Sequence, residues 1–258
     1  MDVSLFQWRL DKLLPDFQEP PFSMSSQGNL RRYRYNGVDY VIKTRPDASQ
    51  LERELRFLEA AKDLSVQVKG YIRRNRTNDD LVGFVMPFLK VIDPAMMDTA
   101  EKINVFRQIR DLIPQLHAQH TIIHGDISLS NLLLDGKTVK LCDFGTSAWM
   151  SEVVYPTAIS IRYSPPYRLG SNPDVNPRPL IKEEDFYASA IAVWELFVGE
   201  TPFGPYVSDD EDFELWDRIV GGLTVDVERI EFDEARIYVK ECLSIEACLN
   251  VSCRSLTS

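Results

Sequence analysis

Residues 124–145 read HGDISLSNLLLDGKTVKLCDFG, and this stretch decides the interpretation of the whole chain. Its polar beginning contains Asp126 and Asn131. The more apolar residues 132–141 predict a β-hairpin, and Asp143 follows that hairpin. Because a hairpin brings its two ends together, we expect these three polar residues to share one site. Two carboxylates and one amide suit Mg²⁺, which keeps water and phosphate oxygens as its other ligands. Taken alone, Asp126 and Asn131 could instead cap turns.

The composition is that of a folded protein and excludes several classes. The chain has 258 residues, of which 44% are apolar and 26% charged, enough for one large domain or two lobes. Its 29 basic and 39 acidic residues give a net charge of −10, which argues against a general nucleic-acid binder. We expect no signal peptide and no membrane span, because the N-terminus lacks a basic-then-apolar leader and no long uncharged apolar stretch occurs.

The cysteines indicate the compartment. There are four, and their spacing fits neither a disulfide framework nor a zinc site. Reduced thiols in an intracellular protein, cytoplasmic or nuclear, are therefore expected. The sequence leaves the oligomeric state open.

The N-terminal third is predicted to be mostly sheet. Residues 1–24 contain several prolines and form a lead-in. Alternating or continuous apolar residues predict strands over residues 30–44, 66–74 and 81–89. Asn36-Gly37 predicts a two-residue hairpin turn inside the first of them. Ser49 and Glu52 predict a capping box at the start of a helix.

The remainder is predicted to be mostly helical. Residues 98–120 have the apolar period of a helix, and residues 183–198 are apolar on nearly every face, which is typical of a buried helix. Several prolines make residues 146–181 loop-like. The order is therefore a small β-rich lobe followed by a larger α-rich lobe, with a cleft expected near residues 86–90.

HGDISLSN and DFG resemble the motifs H-R-D-L-x-x-x-N and D-F-G of eukaryotic protein kinases. The resemblance implies an α+β, bilobal kinase-like fold, shortened at its C-terminus and covering about residues 25–250. The β-rich N-lobe with one main helix would span 25–90, and the α-helical C-lobe 91–258.

The same resemblance assigns chemical roles in a reaction that uses ATP and Mg²⁺. It implies that Asp126 is the base that accepts the proton of the substrate hydroxyl. Asn131 and Asp143 would bind the magnesium ion and thereby the nucleotide.

A lysine and a glutamate complete the catalytic set. Residues 41–43 read VIK and resemble the end of V-A-I-K, so that Lys43 would hold the α- and β-phosphates. At about 100° per residue, Glu54 falls inside the apolar arc of the following helix, whereas Glu52 and Glu59 fall outside it. A charged residue in an apolar stripe needs a partner, and Lys43 is the expected one.

Four further residues are predicted to bind the nucleotide. In the stretch LVGFVMPFL over residues 81–89, Met86 would be the gatekeeper, and Phe88 and Leu89 would lie in the hinge that holds adenine. Gly28 is the single glycine in the stretch that matches the glycine-rich loop G-x-G-x-x-G.

The sequence also departs from the kinase pattern. Gly125 stands in place of the arginine before the catalytic aspartate, and Ser128 in place of a lysine that contacts the γ-phosphate. The A-P-E element reads Pro165-Pro166-Tyr167, so its glutamate is missing. Asp185, in contrast, resembles the structural aspartate beneath the catalytic loop.

Three functions are compatible with this pattern. The favoured one is a protein kinase that transfers the γ-phosphate of ATP to Ser or Thr hydroxyls of a protein substrate. A pseudokinase that binds or scaffolds with little turnover is the alternative supported by the degenerate glycine loop and Ser128. A small-molecule phosphotransferase of the aminoglycoside or choline type shares the His-Gly-Asp motif, but it lacks the activation segment that residues 146–167 resemble.

Overall fold

The structure is a computed structural model, and it describes residues 6–9, 23–25, 28–74, 80–156, 159–170, 178–204 and 209–254. The chain divides into two compact units. The first consists of Met1–Lys90 with Lys140–Gly145, and the second of Val91–Val139 with Thr146–Ser258.

The strands are β1 (Phe6–Arg9), β2 (Ser23–Ser25), β3 (Gly28–Tyr35), β4 (Val38–Thr44), β5 (Gly70–Arg73), β6 (Leu81–Pro87), β7 (Lys90–Val91), β8 (Ile122–Ile123), β9 (Leu132–Asp135), β10 (Thr138–Leu141) and β11 (Ala148–Trp149). The α-helices are α1 (Ala48–Ala60), α2 (Thr99–His120), α3 (Pro166–Leu169), α4 (Glu183–Val198), α5 (Asp209–Val220) and α6 (Asp233–Arg254).

The first unit is built on a six-stranded sheet in the order β1-β5-β6-β4-β3-β2. The pairs are antiparallel except β1 with β5. The predicted hairpin turn is confirmed, because Asn36 and Gly37 both have positive φ (49° and 77°), which suits the right-handed twist of the β3–β4 pair. One face of the sheet buries an apolar cluster that includes Ile42, Ile72 and Val85.

Helix α1 packs against β6 and buries its apolar face, in agreement with the predicted helix period. The predicted capping box at Ser49 is wrong. Asp47 is the N-cap, and its carboxylate accepts hydrogen bonds from the amides of Ser49 (2.9 Å) and Gln50 (3.2 Å). Asp and Ser are almost equally good N-caps, so the spacing to Glu52 did not identify the right one.

The second unit is mainly helical. The predicted helix over 98–120 begins with a capping box between Asp98 and Glu101 and continues through Pro114. Helix α4 is buried on nearly every side, as its composition predicts, and it packs against α2 and α6. Aromatic side chains join these helices, with the ring of Phe106 at 5.7 Å from that of Tyr238.

The α+β class predicted from the sequence is confirmed: a β-rich unit with one main helix and a larger helical unit. The predicted strand over 66–74 is confirmed only from Gly70 onward. The region predicted as loop over 146–181 contains β11 and α3, while its residues 171–177 lie outside the described residues. Within the described ranges, no helix is long and apolar enough to cross a membrane.

Candidate active site

Lys43 lies at the centre of a buried ionic cluster in the first unit. It is on β4, opposite Leu30 of β3 and Phe84 of β6, and only 3% of it is exposed. Its Nζ donates hydrogen bonds to Oε1 of Glu54 (2.6 Å) and Oδ1 of Asp143 (2.8 Å). The ion pair that the helix period predicted between Lys43 and Glu54 is therefore present.

Burial and the neighbouring opposite charges act against each other on the pKa values in this cluster. Burial alone would lower the pKa of Lys43, but the negative charges of Glu54 and Asp143 raise it above its ordinary value. Burial raises the pKa of the Glu54 carboxyl, and the charge of Lys43 is the main opposing influence. Each charge is thus held in place by the other, since neither could be buried alone without a large cost.

Arg45 is a member of this cluster that was not predicted from the sequence. Its Nη1 lies 3.7 Å from Oε2 of Glu54, and its side chain is buried. Arg45 directly follows β4, two residues after Lys43. Because residues two apart in an extended chain face the same side, this spacing was the signal available in the sequence. Glu54 therefore faces two cations, one on each carboxylate oxygen.

Asp143 is held at the cluster by the end of β10. The amide of Leu141 donates to the carbonyl of Leu64 (2.9 Å), and the amide of Val66 donates to the carbonyl of Leu141 (2.8 Å). Asp143 itself has a φ of 60°, a left-handed conformation that aspartate tolerates better than most residues. The amide of Gly145 lies 3.4 Å from Oδ1 of Asp143 and supports this turn.

Gly83 allows β6 to lie close to the strand that carries Lys43. A Cβ on Gly83 would lie 2.5 Å from the backbone carbonyl oxygen of Lys43, far inside van der Waals contact. Only glycine avoids that collision without moving the strand. The sequence contained the signal, an isolated glycine within a predicted strand, but it did not indicate which neighbour required it.

The residues predicted to bind adenine lie at the end of β6. Met86 is half-buried and pairs with Val41 across the sheet. The amide of Phe88 donates to the carbonyl of Asp39 (3.2 Å), and Leu89 follows, half-buried. Gly28 begins β3, whereas Ser26 and Gln27, which precede it in the predicted glycine loop, lie outside the described residues.

The second unit contains a different polar cluster, formed by Asp126, Asn131 and Ser160. Nδ2 of Asn131 donates to the backbone carbonyl (2.8 Å) and to Oδ2 (3.0 Å) of Asp126. The hydroxyl of Ser160 donates to Oδ1 of Asp126 (2.6 Å). The predicted proximity of Asp126 and Asn131 is therefore present. Ser160, which lies in the stretch that resembles an activation segment and its substrate-docking end, is an additional partner of Asp126.

The residues predicted to bind magnesium carry oxygen atoms of the kind that this ion accepts. Because Asn131 turns its nitrogen toward Asp126, the oxygen of the same amide points away from that carboxylate. Asp143 supplies a carboxylate in the first unit. One amide oxygen and one carboxylate are ligands that Mg²⁺ accepts in addition to phosphate oxygens and water.

Asp185 organises the backbone before Asp126. Its carboxylate accepts hydrogen bonds from the amides of His124 and Gly125 (both 2.8 Å) and contacts Nε2 of His117 (2.8 Å). The position is the first turn of α4, where a negative charge is favourable to the helix dipole. This arrangement agrees with the predicted structural role of Asp185.

The structure explains why glycine stands at position 125. Gly125 has a φ of 78°, and a Cβ there would lie 3.0 Å from Cδ2 of Leu180 and 3.1 Å from the carbonyl of Thr146. An arginine would meet both the unfavourable backbone conformation and these neighbours. Ser128, the other departure, is buried, and its hydroxyl shares a hydrogen bond with that of Ser130 (2.7 Å).

Comparison with known proteins agrees with the motifs. The family model for the protein kinase domain matches residues 42–253. The chain therefore belongs to the protein kinase family, and the kinase-like fold expected from HGDISLSN and DFG is confirmed.

Individual relatives are kinases of several kinds. The chain is 27% identical over 205 residues to human ankyrin repeat and protein kinase domain-containing protein 1, covering 72% of this chain and 26% of that protein. It is 31% identical over 136 residues to the MAP kinase kinase PBS2 of Saccharomyces cerevisiae, covering 51% and 20%. It is also 31% identical over 118 residues to the serine/threonine-protein kinase CHK1 of that yeast, covering 42% and 21%. The chain thus spans about a quarter or less of the length of these relatives.

Proposed function

We propose that this chain is an active protein kinase that transfers the γ-phosphate of ATP, bound with Mg²⁺, to Ser or Thr hydroxyls of a protein substrate. The observation that carries the proposal is the intact ionic cluster of Lys43, Glu54 and Asp143. Burying the charges of Lys43 and Glu54 is expensive, and a module that only binds a partner has no need for them. The proposed kinase domain extends over about residues 25–250.

Each cluster would contribute one part of the reaction. Lys43, held by Glu54, would donate hydrogen bonds to the α- and β-phosphates, and Asp143 and Asn131 would hold the magnesium ion. When bound, Mg²⁺ would neutralise negative charge that develops on the phosphates. Asp126 would orient the attacking hydroxyl and accept its proton. The adenine end of the nucleotide would be held by Met86, Phe88, Leu89 and Gly28.

The contact between Ser160 and Asp126 supports the preference for Ser and Thr. It places an aliphatic hydroxyl at 2.6 Å from the proposed base, the distance that proton transfer requires. The carboxylate thus accepts a hydrogen bond from a hydroxyl of the size that a serine or threonine substrate would present. Serine/threonine kinases also occur among the relatives, including the yeast CHK1 protein.

The pseudokinase is the second candidate, and Ser128 favours it. Ser128 is buried, and its hydroxyl shares a hydrogen bond with the hydroxyl of Ser130. A neutral group therefore stands where the kinase pattern has a lysine. The missing charge would weaken stabilisation of the transferred phosphoryl group. A chain that binds Mg²⁺–ATP but transfers no phosphate would satisfy this alternative.

The test measures binding and transfer separately. Thermal unfolding is followed with and without Mg²⁺–ATP, and labelled γ-phosphate is then offered with casein, with an aminoglycoside or with choline. The proposal predicts a rise in Tm and phosphoserine or phosphothreonine on casein, both lost in Asp143→Asn. A shift in Tm without transfer indicates the pseudokinase, and label on the small molecules alone indicates the small-molecule phosphotransferase. Phosphate incorporation that Asp143→Asn leaves unchanged would sink the proposal.

A further inference from the structure

Arg168 is buried in the second unit with its guanidinium fully engaged. Only 4% of Arg168 and 7% of its partner Glu184 are exposed. Nε and Nη2 donate to the two oxygens of Glu184 at 2.9 Å and 2.5 Å, and Nη1 and Nη2 also donate to the carbonyls of Arg178 and Pro179. Such a two-pronged pair fixes orientation as well as distance, because both groups are planar.

Glu184 connects this pair to the catalytic loop. It is in the first turn of α4, directly before Asp185, whose carboxylate holds the amides of His124 and Gly125. Burial raises the pKa of Glu184, and the hydrogen bonds and charge of Arg168 are the main opposing influence. The first turn of α4 therefore makes both contacts. Its Asp185 binds the backbone that precedes Asp126, and its Glu184 binds Arg168.

From Arg168, the chain leads back to Asp126 through residues 160–169, which we call the docking segment. The amide of Arg168 donates to the carbonyl of Pro165 (2.9 Å), and Oγ of Ser164 donates to the carbonyl of Ser160 (3.0 Å). The hydroxyl of Ser160 then reaches Asp126. Two contacts thus hold the docking segment: Ser160 at its start binds Asp126, and Arg168 near its end binds Glu184.

A small open pocket lies between these elements. Its lining includes Gly125 and Asp126, Ser160 and Pro165 of the docking segment, and Glu184 and Asp185. Its width beside the proposed base therefore depends on where the docking segment lies.

We propose that Arg168 is a positioning residue for the protein substrate: through Glu184, it fixes the docking segment relative to Asp126. The inference rests on the proposed kinase function and extends it to substrate binding. Arg168 donates hydrogen bonds to Glu184 and to the carbonyls of Arg178 and Pro179, and it is not among the residues proposed to hold the nucleotide or the reacting hydroxyl. Its loss should therefore weaken binding of the protein substrate while binding of ATP is kept.

The first experiment separates these two affinities. Arg168→Gln removes the charge and the second prong, and Arg168→Lys keeps the charge alone. The control is Arg229→Gln, because Arg229 forms a similar two-pronged pair with Glu200 on the surface, where the side chains are 42% and 60% exposed. Kinetics are measured at a temperature at which circular dichroism shows each variant folded.

We expect Arg168→Gln to raise the KM for casein by about 10- to 100-fold, the cost of a misplacement near 1 Å. The Kd for Mg²⁺–ATP should stay within about twofold, Arg168→Lys should be intermediate, and Arg229→Gln should match the wild type. An unchanged KM, or equal losses in kcat and ATP binding, would show a merely structural role and overturn the proposal. If Arg168→Gln fails to fold, Glu184→Gln is measured in the same way, since it removes the charge but keeps an acceptor.

Hydrogen exchange gives a readout that needs no catalysis. Amides of the docking segment and of Gly170 should exchange about tenfold faster in Arg168→Gln, whereas those of His124 and Gly125, held by Asp185, should be unchanged. Unaltered exchange in the docking segment would also overturn the proposal. If the wild type transfers no phosphate, the proposed function fails, but the exchange data still decide whether Arg168 holds the docking segment.

Discussion

The two polar clusters are built in opposite ways. In the first unit, Lys43 and Glu54 are almost fully buried, and charge is compensated by charge, with Arg45 as the second cation. In the second unit, Asp126 is half-buried, and its hydrogen bonds come from the neutral groups of Asn131 and Ser160. The first cluster should therefore contribute to folding as much as to function, whereas the second should be separable from folding.

The largest effect should come from Lys43→Met, which affects both stability and activity. It leaves Glu54 buried without its hydrogen-bonded cation, so we expect the free energy of unfolding to fall by about 3–5 kcal/mol. Phosphate transfer should be lost as well, because the proposed phosphate ligand is gone. Urea unfolding monitored by tryptophan fluorescence measures the first effect. A loss below about 1 kcal/mol would mean that the buried pair does not support the fold.

The same variant should show a distinctive pH dependence. Burial already raises the pKa of Glu54 above its ordinary value of 4.5, and removing Lys43 removes the main opposing charge. A carboxyl with a raised folded-state pKa carries no penalty below its unfolded pKa and an increasing one as pH rises toward the folded value. The stability deficit should therefore be smaller at pH 5 than at pH 8. Adding Glu54→Gln should recover much of it at pH 8, and equal deficits at both pH values would contradict this explanation.

Asp126→Asn should show the opposite balance. The amide keeps the size of the side chain and can still accept a hydrogen bond, so stability should change by no more than about 1 kcal/mol. The rate of transfer should fall by about 10²- to 10⁴-fold, since the proposed base is removed. Steady-state kinetics and urea unfolding of the same preparation provide the comparison. If the free energy of unfolding of Asp126→Asn fell far enough to account for its loss of activity, the two clusters would not differ in their contribution to folding.

Gly125→Ala should show that the second cluster depends on its backbone. The positive φ and the close contacts with Leu180 and Thr146 should together cost about 1–3 kcal/mol. Gly136→Ala is the matched control, since Gly136 has a φ of 63° but no atom within 4 Å of its added Cβ. It should cost about 1 kcal/mol for the conformation alone. Equal costs for the two variants would show that the packing around Gly125 is unimportant.

Arg45→Met should cost less stability than Lys43→Met, about 1–2 kcal/mol, because Glu54 keeps Lys43. A double-mutant cycle with Glu54→Gln should give a coupling energy of about 0.5–3 kcal/mol if Arg45 acts through that carboxylate. The ion pair between Arg229 and Glu200 offers an exposed comparison, where the coupling should not exceed about 1 kcal/mol. If the stability losses of Arg45→Met and Glu54→Gln were additive, Arg45 would not interact with Glu54, and the first cluster would consist of Lys43, Glu54 and Asp143 alone.

Local patterns predicted what depends on neighbours along the chain. The hairpin at Asn36-Gly37 followed from a turn that requires positive φ, and the burial of Glu54 followed from the helix period. The N-cap of α1 was misassigned because Asp and Ser are almost equally good N-cap residues, and the spacing from Ser49 to Glu52 also fits a capping box. Motif resemblance assigned the site roles, which remain predictions, to Lys43, Glu54, Asp126, Asn131 and Asp143.

The sequence by itself determined the family, the α+β class and the pairing of Lys43 with Glu54, because motif spacing and apolar periodicity are properties of residues close together in the chain. Only the tertiary structure decided that Arg45 shares Glu54, that Ser160 reaches Asp126, and that Arg168 pairs with Glu184. The last two contacts join segments separated by loops, and no local periodicity sets their distance. Burial then makes such contacts specific, since a charge removed from water must find its partner wherever the fold places it.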